Sequence, residues 1–235
     1  MVDVLLSLVI AAVLTAAFRV PLVRWPGACY AVAIIAVVAF LGGALPAGIE
    51  RGMLPLLRRC TLPYGLFVIV MYIGVLPSGS RLRTCLKPVR GPLSIVASLL
   101  VLAHVGSYVQ VYLGVALSGF ATAAAPTATS LIIACVLVIL LAVLAVTSLQ
   151  SVRRYMHGGS WKRLQRLAYP FFILVSVHAS VLLFPSAATG SGSLLAISFY
   201  AGIALLYGVL RVGRWLSGRS GEPKASRAVT ASSKL

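Results

Sequence analysis

Seven long apolar stretches, separated by short segments with proline, glycine and basic residues, limit what this chain can fold into. They cover residues 2–18, 28–45, 61–77, 93–117, 129–149, 167–184 and 194–210. About 20 apolar residues in helical conformation cross a bilayer core, and each stretch is close to that length. Of the 235 residues, 60% are hydrophobic and 10% are charged, whereas about a quarter of a soluble domain is charged. The sequence therefore predicts an all-α, polytopic transmembrane bundle of about seven spans, with no room for a soluble catalytic domain.

Basic residues are distributed unevenly between the segments that join the predicted spans. Three of the 20 Lys and Arg residues, Arg51, Arg58 and Arg59, lie on one side, and the other 17 (20 − 3) lie on the opposite side. Cytoplasmic segments carry the excess of cations, so this alternation predicts a multi-pass cell-membrane protein with its N-terminus outside and its C-terminus in the cytoplasm. The net charge of +17 then indicates anionic lipid headgroups as a partner, and not nucleic acid.

Ionisable side chains inside predicted spans mark candidate functional sites, because burying them in lipid is costly. No carboxylate occupies a span interior: Asp3 and Glu50 lie at span edges, and Glu222 lies in the C-terminal segment. This disfavours an ion-coupled transporter, which usually needs such an acid. The groups that remain inside the predicted spans are His104 and His178.

His104 and His178 are predicted to lie at the same depth in the membrane. Each is 11 residues beyond the start of its predicted span (104 − 93 and 178 − 167), which places both rings roughly 16 Å into the bilayer. Two neutral imidazoles at one level can bind one haem iron from opposite sides. The alternative is that each imidazole is only hydrogen-bonded, for example His104 with Tyr108. Small residues flank both histidines: Ala103, Gly106, Ser107, Ser176, Ala179 and Ser180. Such residues leave space for a porphyrin, but they equally allow close helix packing.

The four cysteines show no metal-ligand spacing, and we interpret them as small apolar packing residues. Cys29 and Cys85 fall on the predicted cytoplasmic side, whereas Cys60 and Cys135 both fall toward the outside. A disulfide between Cys60 and Cys135 is therefore conceivable, although sequence alone does not establish a pairing.

A set of motifs in the second half of the chain carries a family resemblance. The residues of these motifs are Thr147, Ser148, Trp161, Leu164, Gln165, Tyr169 and His178, and a basic loop precedes Trp161. This pattern resembles the ferric reductase-like transmembrane family, and within it the MsrQ-type haem-binding membrane subunits. The segment from Arg90 to Tyr108 is similar to another helix of that family. The likeness covers roughly residues 61–210, and we divide the chain into an additional N-terminal helix and loop (1–27), a ferric reductase-like bundle (28–210) and a basic, disordered cytoplasmic tail (211–235).

The resemblance implies a membrane electron-transfer subunit that contains haem b. His104 and His178 stand where the family has its paired axial ligands. The implied donor is a cytoplasmic flavin reductase, and a membrane quinol is the other candidate because the chain has no glycine-rich dinucleotide fingerprint. The acceptor is expected to be exported: a methionine sulfoxide reductase-like enzyme, a flavoprotein or ferric iron. Whether the chain is itself an enzyme or an oxidoreductase-associated subunit stays open.

One departure from the family pattern is Gln165, which replaces a histidine. Glutamine is a poor haem ligand, so a second haem site or a flavin (FMN) contact at the cytoplasmic end stays open. His157, in the preceding loop, is either a substitute for that histidine or a solvated loop residue. The departure also favours a rival hypothesis, in which the bundle has lost its cofactors and serves as a membrane scaffold or permease.

Two groups of predicted site residues have two interpretations each. Trp161, Arg163 and Arg166 are typical of residues that anchor a helix end in the headgroup layer, and they can also hold a flavin phosphate or dock an acidic flavoprotein. Arg58 and Arg59 lie on the outer side, against the charge bias. They either extend to the membrane interface or hold haem propionates that point outward.

Overall fold

The computed structural model describes residues 2–77, 79–119, 123–190 and 193–220, and within these ranges the chain is helical and contains no strand. The helices are α1 (Val2–Ala17), α2 (Arg19–Arg24), α3 (Pro26–Leu41), α4 (Ala47–Met53), a π-helical turn (Leu54–Arg58), α5 (Thr61–Ile73), α6 (Arg81–Leu86), α7 (Arg90–Leu117), α8 (Ala125–Ser148), α9 (Gln150–Arg153), α10 (Gly158–Gln165), α11 (Ala168–Ala188) and α12 (Ser193–Ser220). The all-α prediction is confirmed for these residues.

Within the described ranges, four helical segments are long and apolar enough to cross a membrane: Arg90–Gln110, Ala125–Ser148, Gly158–Ala188 and Ser193–Ser217. The chain is therefore an integral membrane protein. A fifth candidate is a bent pair, in which Ala47–Arg58 and Thr61–Ile73 meet at 51°. Helices α1 and α3 have 16 residues each, or about 24 Å, which is short against a core of about 30 Å. All seven predicted stretches contain a helix, but the count of seven crossings stays a prediction.

Helix ends differ from the predicted span ends at the C-terminal side of the chain. Helix α11 continues through Pro185 to Ala188, where the sequence predicts an end at residue 184. Helix α12 continues to Ser220, so the first ten residues of the predicted disordered tail are helical. A change from apolar to basic residues marks where a helix leaves the lipid, and it does not by itself end the helix. Residues 221–235 of that tail lie outside the described residues.

Helix α5 lies at the centre of the packing. It packs against α1 and α7; α7 also packs against α3 and α8, α8 against α11, and α11 against α12. An aromatic cluster joins α5, α11 and α12, with the ring centroids of Tyr64 and Tyr200 4.8 Å apart and those of Phe172 and Tyr207 5.4 Å apart. Helix α8 packs against both α7 and α11, the two helices that carry the histidines.

Segments that the charge alternation assigns to one side of the membrane are in contact. At the predicted outer side, Asp3 of α1 forms an ion pair with Arg59, with 2.8 Å between Oδ2 and Nη1. At the predicted cytoplasmic side, Arg19 of α2 contacts the Cys85 thiol of α6. Both contacts agree with the charge alternation, and the orientation of the bundle in the membrane stays a prediction.

Candidate functional site

His104 lies in α7, and its Nδ1 atom is 2.6 Å from the backbone carbonyl oxygen of Arg58. A carbonyl only accepts hydrogen bonds, so Nδ1 is the ring nitrogen that carries the proton. The other nitrogen of the neutral ring, Nε2, then keeps its lone pair. The edge of the ring contacts Tyr108, with centroids 5.2 Å apart, but the hydrogen-bond partner is Arg58 and not Tyr108.

His178 lies in α11 and has the same arrangement with α8. Its Nδ1 atom is 3.1 Å from the carbonyl oxygen of Ser130 and 2.9 Å from the hydroxyl of that residue. The carbonyl only accepts, so its contact is a hydrogen bond when Nδ1 carries the proton, and Nε2 then keeps its lone pair. Ser130 is fully buried, with 2% of its surface exposed, so this partner is held in place by the bundle.

A histidine that binds a metal through one ring nitrogen usually donates the other N–H to a backbone carbonyl or a carboxylate. His104 and His178 both meet this condition, because Arg58 and Ser130 accept from their Nδ1 atoms. Among the described residues there is no group of three or more His, Cys, Asp or Glu side chains that could hold a metal ion. A haem iron takes two axial ligands from the protein, so a pair is the relevant donor set.

The equal offset of the two histidines from their helix starts is not found. Helix α7 begins at Arg90 and α11 at Ala168, so the offsets are 14 residues (104 − 90) and 10 residues (178 − 168). The hydropathy pattern locates where apolar residues begin, and α7 begins three residues earlier with polar or small residues. Arg58 ends the π-helical turn and Ser130 lies in the second turn of α8, and the charge alternation predicts that both segments lie toward the outer side.

Small residues beside His104 serve helix packing. Ala103 is fully buried in a cluster with Val37 and Phe40 of α3. A Cβ atom at Gly106 would lie 2.7 Å from Cδ1 of Leu41, so α3 occupies the space beside this glycine. Helix α3 therefore packs against both of these small residues.

An outer cavity of about 550 Å³ lies beside His104, lined by Asp3, Leu54, Pro55, Arg58, Arg59 and Tyr108. The Arg58 guanidinium lies over the Tyr108 ring, 5.4 Å from its centroid, while Arg59 pairs with Asp3. The structure therefore brings both predicted outer arginines to one cavity, next to the carbonyl that holds His104.

An inner cavity of about 300 Å³ lies between α5, α7, α8, α10 and α11, at the end that the charge alternation predicts to be cytoplasmic. Trp161 and Gln165 line it, and both tie α10 to the end of α8. The indole Nε1 donates to the carbonyl of Thr147 at 3.0 Å, and the Gln165 amide donates to the hydroxyls of Thr147 at 3.0 Å and Ser148 at 3.4 Å. These contacts give the Thr-Ser and Trp-x-x-Leu-Gln motifs a structural role.

The cations that line the inner cavity are Lys87, Arg90 and Arg153. Arg163 and Arg166 are exposed and line neither cavity, so the structure does not bring them together with Gln165. His157 is also exposed, at the start of α10. Sequence reasoning missed Lys87 and Arg153, because loop cations that set membrane topology look the same as cations that face a cavity.

All four cysteines lie within the described residues and are free thiols, so the conceivable Cys60–Cys135 disulfide is not formed. Cys135 is exposed on α8, on a helix that crosses the membrane. Cys60 lies at the bend before α5 and adopts a left-handed backbone conformation with φ of 58°.

Comparison with known proteins adds the family context. Residues 60–176 match the family described as "ferric reductase like transmembrane component". This match covers just under half of the chain. It contains His104, Trp161 and Gln165 and ends two residues before His178. It does not distinguish the MsrQ type from other members of that family.

An uncharacterized protein of Treponema pallidum (strain Nichols) is 34% identical over an alignment of 230 positions, which covers 92% of this chain. The chain spans 62% of the length of that protein. No solved structure matches.

Proposed function

We propose that this chain is a haem b-binding subunit that carries electrons across the cell membrane, with His104 and His178 as the axial ligands of one haem. The observation that carries the proposal is that both Nδ1–H groups donate to backbone carbonyls, those of Arg58 and Ser130. Each ring thus keeps its Nε2 lone pair for iron. A bound haem supplies a one-electron redox couple, and the protein supplies its orientation and electrostatic surroundings.

The surroundings of His104 fit a haem with outward-facing propionates. Arg58 and Arg59 line the outer cavity beside the carbonyl that orients His104. Propionate carboxylates need cationic or hydroxyl partners when they leave water, and guanidinium groups pair with carboxylates in planar geometry. Arg59 already pairs with Asp3, so in this proposal Arg58 is the principal propionate partner and Arg59 the secondary one.

The donor side of the proposed route is the cytoplasmic end of the bundle. We propose a cytoplasmic flavin reductase or a membrane quinol as the donor, with FMN as a candidate cofactor near the inner cavity. Trp161 and Gln165 line that cavity, while Arg163 and Arg166 are exposed and suited to docking an acidic partner or anionic lipids. The acceptor is proposed to be an exported redox partner, such as a methionine sulfoxide reductase-like enzyme, a flavoprotein or ferric iron.

Visible spectroscopy of the purified full-length protein tests the ligand assignment. We expect a low-spin b-type spectrum that changes on reduction with dithionite, and we expect His104→Ala and His178→Ala each to abolish the low-spin form. His157→Ala is the matched control, because His157 is an exposed histidine at the start of α10, and it should keep the parent spectrum. A colourless protein from haem-replete cells, or histidine variants with the parent spectrum, would contradict the proposal.

A second candidate function, a membrane scaffold or permease that has lost its cofactors, is favoured by Gln165. Its amide is engaged with Thr147 and Ser148, which is a structural role that requires no cofactor. The same spectroscopic experiment separates the two candidates, since a scaffold has no haem spectrum with or without the histidines.

A further inference from the structure

We propose that the N-terminal helix α1 positions His104, by holding the π-helical turn Leu54–Arg58 through a hydrogen bond between Ser7 and Thr61. The inference rests on the proposed role of His104 as a ligand, but the hydrogen bonds that it concerns exist in the chain itself. Helix α1 precedes residue 60, where the family match begins. The helix would thus contribute to the candidate site from outside the matched region.

The turn that presents the Arg58 carbonyl is irregular. A π-helical segment closes i→i+5 hydrogen bonds and is rare outside functional sites. It is followed by Cys60, whose φ of 58° is unfavourable for a residue with a Cβ atom. Helix α5 then leaves at an angle of 51° to the preceding helical segment. Such a backbone persists only where the surrounding structure holds it.

Two hydroxyl groups hold this turn from inside the protein. The Thr61 hydroxyl donates to the carbonyl oxygen of Pro55 at 3.0 Å, and the Ser7 hydroxyl donates to Thr61 Oγ1 at 2.7 Å. Ser7 Oγ is also 2.7 Å from the carbonyl oxygen of Asp3, so its proton is shared between two acceptors. Ser7 has 0% and Thr61 has 4% of its surface exposed, and no solvent replaces these bonds when they are broken.

Close packing of α1 against α5 brings the Ser7 hydroxyl within reach of Thr61. A Cβ atom at Gly65 of α5 would lie only 3.0 Å from the carbonyl oxygen of Ser7, so the two helices approach each other at this glycine. The ion pair of Asp3 with Arg59 is a second connection from α1 to the same turn. Both connections act on the segment whose carbonyl accepts the Nδ1–H of His104.

The consequence for His104 is a fixed tautomer. With the turn held, the Arg58 carbonyl stays opposite Nδ1, and Nε2 remains the unprotonated nitrogen. When the Ser7–Thr61 bond is lost, the Pro55 carbonyl loses part of its support and the turn relaxes. The Nδ1–H donor then loses its fixed acceptor, and the Nε2–H tautomer gains population.

Nitrogen NMR of ¹⁵N-histidine-labelled protein measures this tautomer directly, because the chain has only three histidines. The full-length protein is prepared without haem in lipid nanodiscs. We expect Ser7→Ala and Thr61→Val to lower the ratio of Nδ1–H to Nε2–H at His104 about fivefold, the factor that one hydrogen bond of ordinary strength provides. His178 serves as an internal control, because its partner is Ser130.

Two matched variants distinguish positioning from a general loss of packing. Thr61→Ser retains the hydroxyl and should retain the parent ratio. Thr15→Val removes another buried hydroxyl of α1, whose bond at 2.7 Å runs to the Ala11 carbonyl in the same helix, and it should leave His104 unchanged. If Ser7→Ala does not fold, Thr61→Val tests the same bond from α5.

An unchanged ratio in folded Ser7→Ala and Thr61→Val protein would overturn the proposal, as would an equal shift in Thr15→Val. In haem-loaded protein we expect the first two variants to raise the midpoint potential, because a ligand without its carbonyl partner is less basic. If the protein binds no haem, the proposed function fails, while the tautomer ratio still decides whether α1 positions His104.

Discussion

Replacing Gly65 by alanine should destabilise the bundle more than the same replacement at Gly106. A Cβ atom at Gly65 would lie 3.0 Å from the Ser7 carbonyl oxygen and 3.1 Å from Cβ of Ala11, and neither atom can move without moving α1. A Cβ atom at Gly106 would lie 2.7 Å from Cδ1 of Leu41. That atom is the end of a flexible side chain, which is 46% exposed.

The destabilisation expected for each variant depends on which atoms must move to admit the new Cβ atom. Ordinary contact begins at 3.4 Å, so Gly65→Ala displaces α1 by about 0.4 Å (3.4 − 3.0), and overpacking of this kind costs about 1–3 kcal/mol. At Gly106, Leu41 turns to another conformation for about 0.5–1.5 kcal/mol. Alanine gains about 0.5–1 kcal/mol over glycine inside a helix. The net destabilisation is therefore about 0–2.5 kcal/mol at Gly65, centred a little above 1 kcal/mol, and close to zero at Gly106.

Reversible unfolding in mixed micelles, followed by far-ultraviolet circular dichroism, measures both free energies of unfolding. The reasoning is refuted if Gly106→Ala lowers the free energy of unfolding as much as Gly65→Ala does. The expected difference arises only because the neighbour of Gly65 is the rigid helix α1, whereas the neighbour of Gly106 is the flexible Leu41 side chain. A displaced α1 also lengthens the Ser7–Thr61 hydrogen bond, so Gly65→Ala should shift the His104 tautomer in the same direction as Ser7→Ala.

Two further outcomes concern Gln165 and the outer ion pair. Gln165→Ala removes the hydrogen bonds to Thr147 and Ser148, so the free energy of unfolding should fall by about 1–2 kcal/mol. The visible spectrum should stay that of the parent. Loss of low-spin haem in this variant would show that Gln165 supports the ligands. Asp3→Asn removes an ion pair whose side chains are 43% and 67% exposed, so the free energy of unfolding in low salt should change by less than about 1 kcal/mol. A larger change would mean that the pair is shielded from solvent in the membrane-bound protein.

The helical elements were predictable from sequence because each apolar stretch must satisfy its own backbone hydrogen bonds in lipid. All seven predicted stretches contain a helix. The lengths were less predictable: α1 and α3 stop at 16 residues, and α12 continues into the basic segment. Hydropathy reports where residues prefer lipid, whereas a helix ends where its last carbonyls find other partners.

The candidate site was predictable only in part. His104 and His178 stand out in sequence because they are the ionisable residues left inside predicted spans. The exposure of Arg163 and Arg166, and the position of Lys87 and Arg153 at the inner cavity, were not predictable. A loop cation has the same local signature on either side of a helix end, and only packing decides which way it faces.

The amino-acid sequence alone was enough to predict a helical membrane protein with two histidines in its apolar stretches, since transfer free energies act on each residue separately. The groups that accept from the two imidazoles became known only from the packing of the helices. Arg58 is 46 residues from His104, and Ser130 is 48 residues from His178. Contacts at such separations depend on how α7, α8, α11 and the bent segment before α5 pack, which no local pattern encodes.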